Sequence, residues 1–276
     1  MSSASQTVVG TVGSLWRYPV KSMMGEELNL AEVTEGGLIG DRAYALFDLA
    51  DGKVVSAKNP RKWPRLFEFR AEFVAPPEVG RDVPPVRITL PDGTTVTSGE
   101  SELAAVLSET LGRNVVLESK ALQTPTLEEY WPDIEELDHR DTVTDEAMPA
   151  GTFFDLASIH LLTTATIDQL HESFPEGRFE IRRFRPNIVV LPAAGLTGFV
   201  ENGWVGRTLA IGTDVRLSVT RPCPRCVMTT LPQGDLPHDT GILRTAAQQN
   251  DVCVGVYASV LQGGVIRCGD LVGIAE

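Results

Sequence analysis

The chain has 276 residues with an ordinary apolar fraction of 42%, and 37 acidic against 24 basic residues give it a net charge of −13. This length can bury a sizeable core and makes two domains a reasonable expectation. The negative charge argues against a general nucleic-acid-binding role, because phosphate backbones attract basic faces. No apolar run approaches the roughly 20 residues of a membrane helix, so no membrane association is expected.

The N-terminus and the cysteine content predict a cytoplasmic location. The first six residues lack the basic and apolar regions of a signal peptide. Four cysteines in a chain of this length are too few for a disulfide scaffold, which agrees with a reducing compartment.

The first half of the chain has the pattern of a β domain. Asp51-Gly52 and Asp92-Gly93 each separate two short runs of strand-forming residues, which is a strong hairpin signal. Leucines and Val106 recur at helical spacing from Leu103 to Leu111, and Gly112 is placed to end that helix. Strand-like runs occupy residues 8–16, 42–48, 53–56, 86–90, 94–97 and 115–117.

An acidic segment interrupts this pattern. Nine acidic residues lie between Glu128 and Glu146, and only Arg140 opposes them. We expect this proline-containing stretch to connect two domains as loop with one helical turn. Basic clusters at 58–65 and 182–185 suit either a small anionic ligand in a cleft or solvated surface.

The second half again predicts many short strands, with one helix from Ile167 to Phe174 capped by Thr164 or Thr166. The whole chain is therefore predicted to be mainly β with a few helices (α+β), with a β-barrel-like domain in each half. The expected domains are 8–120, an acidic connector at 121–149, and 150–276. Strand-like runs occupy residues 159–163, 187–191, 208–211, 215–220, 253–261, 265–267 and 271–274.

Two cysteines three positions apart form the most informative feature, in the run Arg221-Pro222-Cys223-Pro224-Arg225-Cys226-Val227-Met228-Thr229-Thr230. A soft thiolate beside fixed positive charge suits metal binding, disulfide exchange or nucleophilic attack. Arg221 and Arg225 are close enough in sequence to lower the pKa of a neighbouring thiol.

Some of these roles fit the pair poorly. A structural zinc site commonly takes two close ligand pairs, and the remaining cysteines, Cys253 and Cys268, do not form a second pair. A thioredoxin-like motif opens a helix, whereas prolines flank Cys223 and no helical pattern follows. Iron–sulfur centres need more closely spaced cysteines. A single metal-binding or nucleophilic thiolate remains, and a structural or incidental pair stays open.

Four motifs in chain order resemble those of the MOSC-domain family, which has a MOSC N-terminal β-barrel domain followed by a MOSC domain. The resemblance is to the branch that contains the mitochondrial amidoxime-reducing component and its bacterial relatives, and it extends from about Val9 to Gly273. Besides the cysteine run, the motifs are Trp16-Arg17-Tyr18-Pro19-Val20-Lys21-Ser22, Gly37-Leu38-Ile39-Gly40-Asp41-Arg42 and Phe184-Arg185-Pro186-Asn187-Ile188.

This resemblance implies a molybdenum cofactor, molybdopterin with Mo, bound between the two domains. It makes Cys226 the metal ligand and the catalytic residue, which fits a soft metal that accepts a thiolate. The cofactor also carries a phosphate, whose charge arginine and lysine offset. The implied cofactor-binding residues are Lys21, Ser22, Arg42, Thr163, Thr164, Arg185, Asn187, Pro224, Arg225 and Cys226.

The chemistry that the resemblance implies is reduction of small N-hydroxylated substrates such as amidoximes, hydroxylamines and N-hydroxylated bases. Because the chain has no haem-attachment motif and no ferredoxin-like cysteine cluster, electrons are expected from a separate protein of the ferredoxin, flavoprotein or cytochrome type. The alternative is a cofactor carrier or sulfur-transfer protein in which Cys223 and Cys226 relay a persulfide. A zinc or dithiol-redox protein is a third hypothesis, and the role of Cys223 stays open.

Overall fold

The computed structural model describes residues 6–137 and 139–275 and is mainly β within those ranges. Its first-half elements are β1 (Gln6–Arg17), β2 (Glu26–Leu28), β3 (Leu30–Thr34), β4 (Gly37–Leu38), β5 (Ala45–Asp48), β6 (Arg70–Phe73), β7 (Val86–Thr89), β8 (Thr95–Thr97), α1 (Leu103–Leu111) and β9 (Val115–Glu118). The acidic stretch and the second half hold β10 (Thr126–Trp131), β11 (Thr142–Ala147), β12 (Ile159–Thr163), α2 (Thr164–Ser173), α3 (Ile181–Phe184), β13 (Ile188–Pro192), β14 (Thr208–Ile211), β15 (Val215–Pro224), α4 (Gly241–Asn250), β16 (Cys253–Gln262), β17 (Gly264–Arg267) and β18 (Leu271–Ala275). Short 3-10 helices occupy Leu66–Glu68, Val200–Trp204 and Val227–Thr230.

Seven strands close into a barrel in the order β13-β12-β16-β15-β14-β18-β1. Strand β1 comes from the N-terminus and closes the barrel by pairing with both β18 and β13. Apolar residues fill the interior, among them Leu15, Ile188, Leu217 and Val256, all of which are buried. The predicted mainly β class with few helices is confirmed.

The rest of the first half forms small antiparallel sheets around a second core. Strands β6, β7 and β8 make one sheet, and β5 pairs with β9. Phe69, Ile88 and Leu107 lie in this core and are fully buried. The predicted helix α1 is confirmed, and Gly112 ends it in the left-handed conformation that glycine tolerates best.

Side chains from the second half also enter this first-half core. Val227, Met228 and Leu231, which directly follow the cysteine motif, are buried in it. The cysteine motif therefore lies where the barrel and the first-half core meet, and the packing of both halves fixes its position.

Three local predictions were wrong or incomplete. The acidic segment is not loop with a helical turn, because β10 and β11 pair as antiparallel strands within it. Helix α2 begins at Thr164 rather than at Ile167, and its cap is Thr163, whose hydroxyl accepts a hydrogen bond from the Thr166 amide at 3.2 Å. Helix α4 was not predicted.

Candidate functional site

A cleft of about 660 Å³ lies between the two halves of the molecule. Strands and loops of the first half contribute Arg42, Lys58 and Glu129 to its lining, and the second half contributes the cysteine motif. The predicted site residues that line it are Arg42, Arg185, Asn187, Pro224, Arg225 and Cys226. The cleft thus brings together three of the four sequence motifs at one surface.

Cys226 is half-buried at the start of the 3-10 helix Val227–Thr230. Strand β15 ends two residues earlier, at Pro224, which has no amide hydrogen to continue a ladder. Burial raises the pKa of the Cys226 thiol to about 11, and Glu129 adds to this effect while Lys58 and Arg225 oppose it. The thiol is therefore protonated at neutral pH.

Arg225 faces Cys223 rather than Cys226. Its Nη1 donates to the Cys223 sulfur at 2.7 Å and its Nη2 to the Phe184 carbonyl at 2.9 Å. Burial by itself would raise the pKa of Cys223, but Arg225 and His160 outweigh it and hold the pKa at about 6. The expectation that a neighbouring arginine lowers a thiol pKa in this motif therefore applies to Cys223.

Arg185 is a buried guanidinium on the cleft wall. It follows α3 with φ at 51°, a left-handed turn that aims the side chain back into the molecule. Its Nη1 donates to the Met23 carbonyl at 2.8 Å, and its guanidinium lies 4.1 Å above the ring of Tyr18. Burial lowers the pKa of Arg185 to about 10, and the nearby charge of Arg42 acts in the same direction.

Asp41 joins two of the motifs around Arg42. It is ion-paired with Arg42, and its carboxylate accepts hydrogen bonds from the Tyr18 amide at 2.8 Å and from Asn187 Nδ2 at 2.9 Å. The Arg42 guanidinium lies 4.4 Å above the Tyr18 ring, so Tyr18 contacts both Arg42 and Arg185. These contacts position cations from both halves side by side in the cleft.

Lys21 and Ser22 lie behind the cleft lining. Lys21 is buried, donates to the Phe153 carbonyl at 2.9 Å and is ion-paired with Asp155, which does line the cleft. The Ser22 hydroxyl accepts a hydrogen bond from the Ala57 amide at 3.1 Å. Lys21 therefore reaches the cleft surface only through Asp155.

Thr163 and Thr164 are not in the cleft lining. The Thr163 hydroxyl is 2.6 Å from Oε2 of the buried Glu201, which also accepts from the Thr166 hydroxyl at 2.8 Å. Burial raises the pKa of Glu201, and these hydrogen bonds oppose that shift. The contacts give Thr163 a structural role at the start of α2, where Thr164 is the first helical residue.

Two family models match the chain, the MOSC N-terminal beta barrel domain over residues 9–114 and the MOSC domain over residues 149–273. The chain belongs to the MOSC-domain proteins. Mitochondrial amidoxime reducing component 2 of Rattus norvegicus is 26% identical over 95% of this chain and 82% of its own length. The Homo sapiens component 2 is also 26% identical with the same coverage, and component 1 is 27% identical over 85% of this chain and 68% of its own length.

Several residues that line the cleft of this MOSC protein were not among the site residues predicted from the sequence. Lys58 donates to Glu129 at 2.8 Å, and although burial opposes its charge, Asp155, Cys226 and Glu129 hold the pKa of Lys58 above its usual range. Lys58 lies in a basic cluster that the sequence left open as ligand site or solvated surface. Glu129 lies in the acidic stretch, whose pairing as strands was not predicted.

The buried residue His160 also lines the cleft. Its Nε2 is 3.0 Å from the Val254 carbonyl. Gly255 makes room for the ring, since a Cβ there would lie 2.4 Å from His160 Nε2 and 2.4 Å from the Leu161 carbonyl oxygen, at a φ of +81°.

Gly255→Ala is therefore expected to destabilise the fold by about 3 kcal/mol, from the left-handed backbone together with the clash. The matched control is Gly203→Ala, because Gly203 has open space around its Cβ position and no left-handed φ. Chemical denaturation of both variants measures the difference. Equal stability of the two would show that the β16 backbone relaxes without cost.

The donor set of the cleft fits a cofactor that brings its own metal ligands. Among the residues with assigned positions, no three His, Cys, Asp or Glu side chains cluster as an all-protein metal site. Cys226 offers one soft sulfur at the cleft surface, and Arg225 Nε is buried without a hydrogen-bond partner within the described ranges.

No described helix combines the length and apolar character needed to cross a membrane.

Proposed function

We propose that this MOSC protein is a molybdenum-cofactor-dependent oxidoreductase that reduces N-hydroxylated compounds with electrons from a separate electron-transfer protein. Family membership and the names of the relatives, which are amidoxime reducing components, support the reaction class. The four motifs support the cofactor, and three of them meet at the cleft.

The observation that carries the proposal is that the buried guanidinium of Arg185 has no ion pair among the described residues, and the carboxylates that favour its charge, Asp41 and Asp155, are more distant. This side chain is 6% exposed, and within residues 6–137 and 139–275 no carboxylate lies within 4.0 Å of its guanidinium. A buried cation without a counter-ion is costly, and its cost falls when an anion binds beside it. The phosphate of the molybdenum cofactor supplies such an anion, and Arg42 and Arg225 line the same cleft.

Cys226 would hold the metal of that cofactor through its sulfur. When bound, the cofactor would supply two-electron oxygen-transfer chemistry for the N–OH group of the substrate. Because burial raises the pKa of the Cys226 thiol to about 11, binding there releases a proton. Free Cys226 is a protonated thiol, which is a poor nucleophile until it loses its proton.

The overall reaction converts R–N–OH to R–N–H and water and consumes two electrons and two protons. The chain's own task is to bind and orient the substrate in the cleft beside the sulfur of Cys226. Lys58 Nζ stays protonated there and holds a positive charge near the reacting groups, while its hydrogen bond to Glu129 fixes its direction. Substrate shape and the identity of the electron donor depend on the remainder of the cleft and on the surface around it.

The test is turnover of benzamidoxime by the cofactor-loaded protein, with a reduced viologen dye as electron donor and the product benzamidine quantified by chromatography. Cofactor-dependent formation of benzamidine supports the reductase. Protein that contains molybdenum but forms no reduced product from amidoximes, hydroxylamines or N-hydroxylated bases would overturn the reductase and indicate a carrier.

Arg185→Ala tests the cofactor contact separately from turnover. We expect molybdenum occupancy to fall at least about tenfold, which corresponds to about 1.4 kcal/mol of binding free energy, because the cleft loses a buried cation that has no ion pair among the described residues. Elemental analysis of purified protein measures the occupancy. Arg182→Ala is the control, since Arg182 pairs with Glu180 and Asp235 on the surface. Wild-type occupancy in Arg185→Ala would exclude the contact.

A further inference from the structure

We infer that Cys223 is a positioning residue whose buried thiolate is the counter-ion that fixes Arg225 at the wall of the cleft. The inference rests on the proposed function only in giving Arg225 a cofactor to contact. It assigns Cys223 neither metal ligation nor sulfur transfer, and it makes the two cysteines of the motif chemically different.

The geometry of Arg225 carries the argument. Its Nη1 donates to the Cys223 sulfur at 2.7 Å and its Nη2 to the Phe184 carbonyl at 2.9 Å, so two of its three nitrogens are held. Nε is buried and has no hydrogen-bond partner in the described part of the chain. The side chain is therefore fixed in direction, and its Nε–H is left without a partner.

Arg225 forms no ion pair with a carboxylate in the described part of the chain. Within the described ranges, no carboxylate lies within 4.0 Å of its guanidinium, and the groups that favour its charged form are Cys223, Tyr257 and Cys226. A buried guanidinium needs a charged partner to offset its desolvation. Of the three, Cys223 makes the hydrogen bond, and it is 0% exposed.

The groups that face the Cys223 sulfur also favour its anionic form. Strand β12 contributes His160, which lowers the pKa of Cys223, and β16 contributes Tyr257, which acts in the same direction through a hydrogen bond. Cys253, also on β16, has its own pKa raised to about 11, mainly by burial and then by the negative charge of Cys223. Cys253 therefore stays a neutral thiol near the pair.

The position of Cys223 disfavours the other roles considered for it. It is not among the residues that line the cleft, whereas Pro224, Arg225 and Cys226 all are. A metal ligand or a persulfide carrier must be reachable from the cleft, and Cys223 is fully buried behind it. Positioning Arg225 is the role that its contacts support.

The first measurement follows the thiolate itself in full-length protein from a host unable to make molybdenum cofactor. Thiolates absorb near 240 nm, and the difference spectrum between wild type and Cys223→Ser is recorded from pH 5 to pH 9. We expect one thiolate in the difference to titrate with a midpoint near the pKa of about 6. Cys253→Ser is the matched control and should leave that titration in place. A difference that appears only above pH 8 would overturn the inference.

Stability gives a second readout with a defined sign. The pKa of Cys223 in the folded protein lies below that of an unfolded thiol, which is near 8.5. The ion pair therefore stabilises fully above the unfolded value, and its contribution is lost as the pH falls towards 6. The melting temperature of Cys223→Ser should be lower than that of wild type, and this difference should grow as the pH rises from 6 to 8.5. A difference in melting temperature that does not change with pH would contradict the ion pair.

A double-mutant cycle then asks whether Cys223 acts through Arg225. Molybdenum occupancy is compared in Cys223→Ser, Arg225→Gln and the double variant from a cofactor-producing host. We expect each single change to lower occupancy several-fold and the double variant to lose no more than Arg225→Gln. Fully additive losses would overturn the positioning role. Absence of molybdenum from wild type would instead count against the proposed function, with the thiolate measurements unaffected.

Discussion

Cys226→Ser is expected to lower amidoxime reduction at least about 100-fold, equivalent to about 2.7 kcal/mol of transition-state stabilisation, while leaving the fold intact. Cys226 is the thiol that lines the cleft, and serine replaces a soft sulfur ligand by a hard hydroxyl of similar size. The apolar residues that follow it, Val227 and Met228, keep the segment packed in the first-half core.

The measurement is the rate per molybdenum-containing chain, with circular dichroism and melting temperature as checks on folding. Cys268→Ser is the control, because Cys268 is an exposed free thiol away from the cleft lining. Full activity in Cys226→Ser would exclude Cys226 as the metal ligand. Equal losses in both variants would point to a general effect of removing thiols.

Arg183→Met is expected to destabilise the protein by about 4 kcal/mol without touching the cleft lining. Arg183 is 0% exposed and donates hydrogen bonds to four carbonyl groups. The acceptors and distances are Arg178 at 2.8 Å, Thr229 at 3.0 Å, Leu231 at 3.2 Å and Pro237 at 2.9 Å. Methionine has similar length but no donors, so these buried carbonyls lose their partner.

Urea denaturation measures the free energy of unfolding. The neighbour Arg182 provides the control, because its partly exposed ion pairs with Glu180 and Asp235 should make Arg182→Met cost less than about 1 kcal/mol. Arg183→Lys should recover little stability, since a single ammonium cannot reach carbonyls that the planar guanidinium spans. A loss below about 1 kcal/mol in Arg183→Met would show that the loop after the cysteine motif does not depend on Arg183.

Local patterns predicted most of the strands and the first helix. The Asp92-Gly93 turn, the leucine spacing that ends at Gly112 and the alternating runs of the second half depend on neighbouring residues, and the chain forms them as expected. The strand predicted after Asp51-Gly52 is absent, because Val54 makes only an isolated bridge with Phe47. Three motifs also met at one cleft as the resemblance implied, because Arg42, Arg185 and Cys226 line it together.

What the sequence could not predict depends on contacts between distant residues. Strand β1 closes a barrel with strands almost two hundred residues later in the chain, as in the pairing of Gly10 with Pro192. Arg183 is buried and donates to three carbonyls from residues 229–237, whereas the sequence left its basic cluster open as ligand site or solvated surface. The charge pattern likewise did not predict that β10 and β11 pair within the acidic stretch. This pairing places Glu129 beside Lys58.

The hydrogen-bond partner of Arg225 also could not be predicted from the sequence. Sequence places Arg225 next to Cys226, yet the side chain turns to Cys223, and the direction of each side chain depends on how β15 ends against β16. Adjacent positions on a chain in extended conformation point to opposite sides, so nearness in sequence is a poor guide to which thiol is ionised.

The most direct test of the central claim is the metal content of wild-type protein purified from a host that makes molybdenum cofactor, measured by elemental mass spectrometry. The proposed function predicts close to one molybdenum per chain, retained through gel filtration. Stoichiometric zinc with no molybdenum would contradict it.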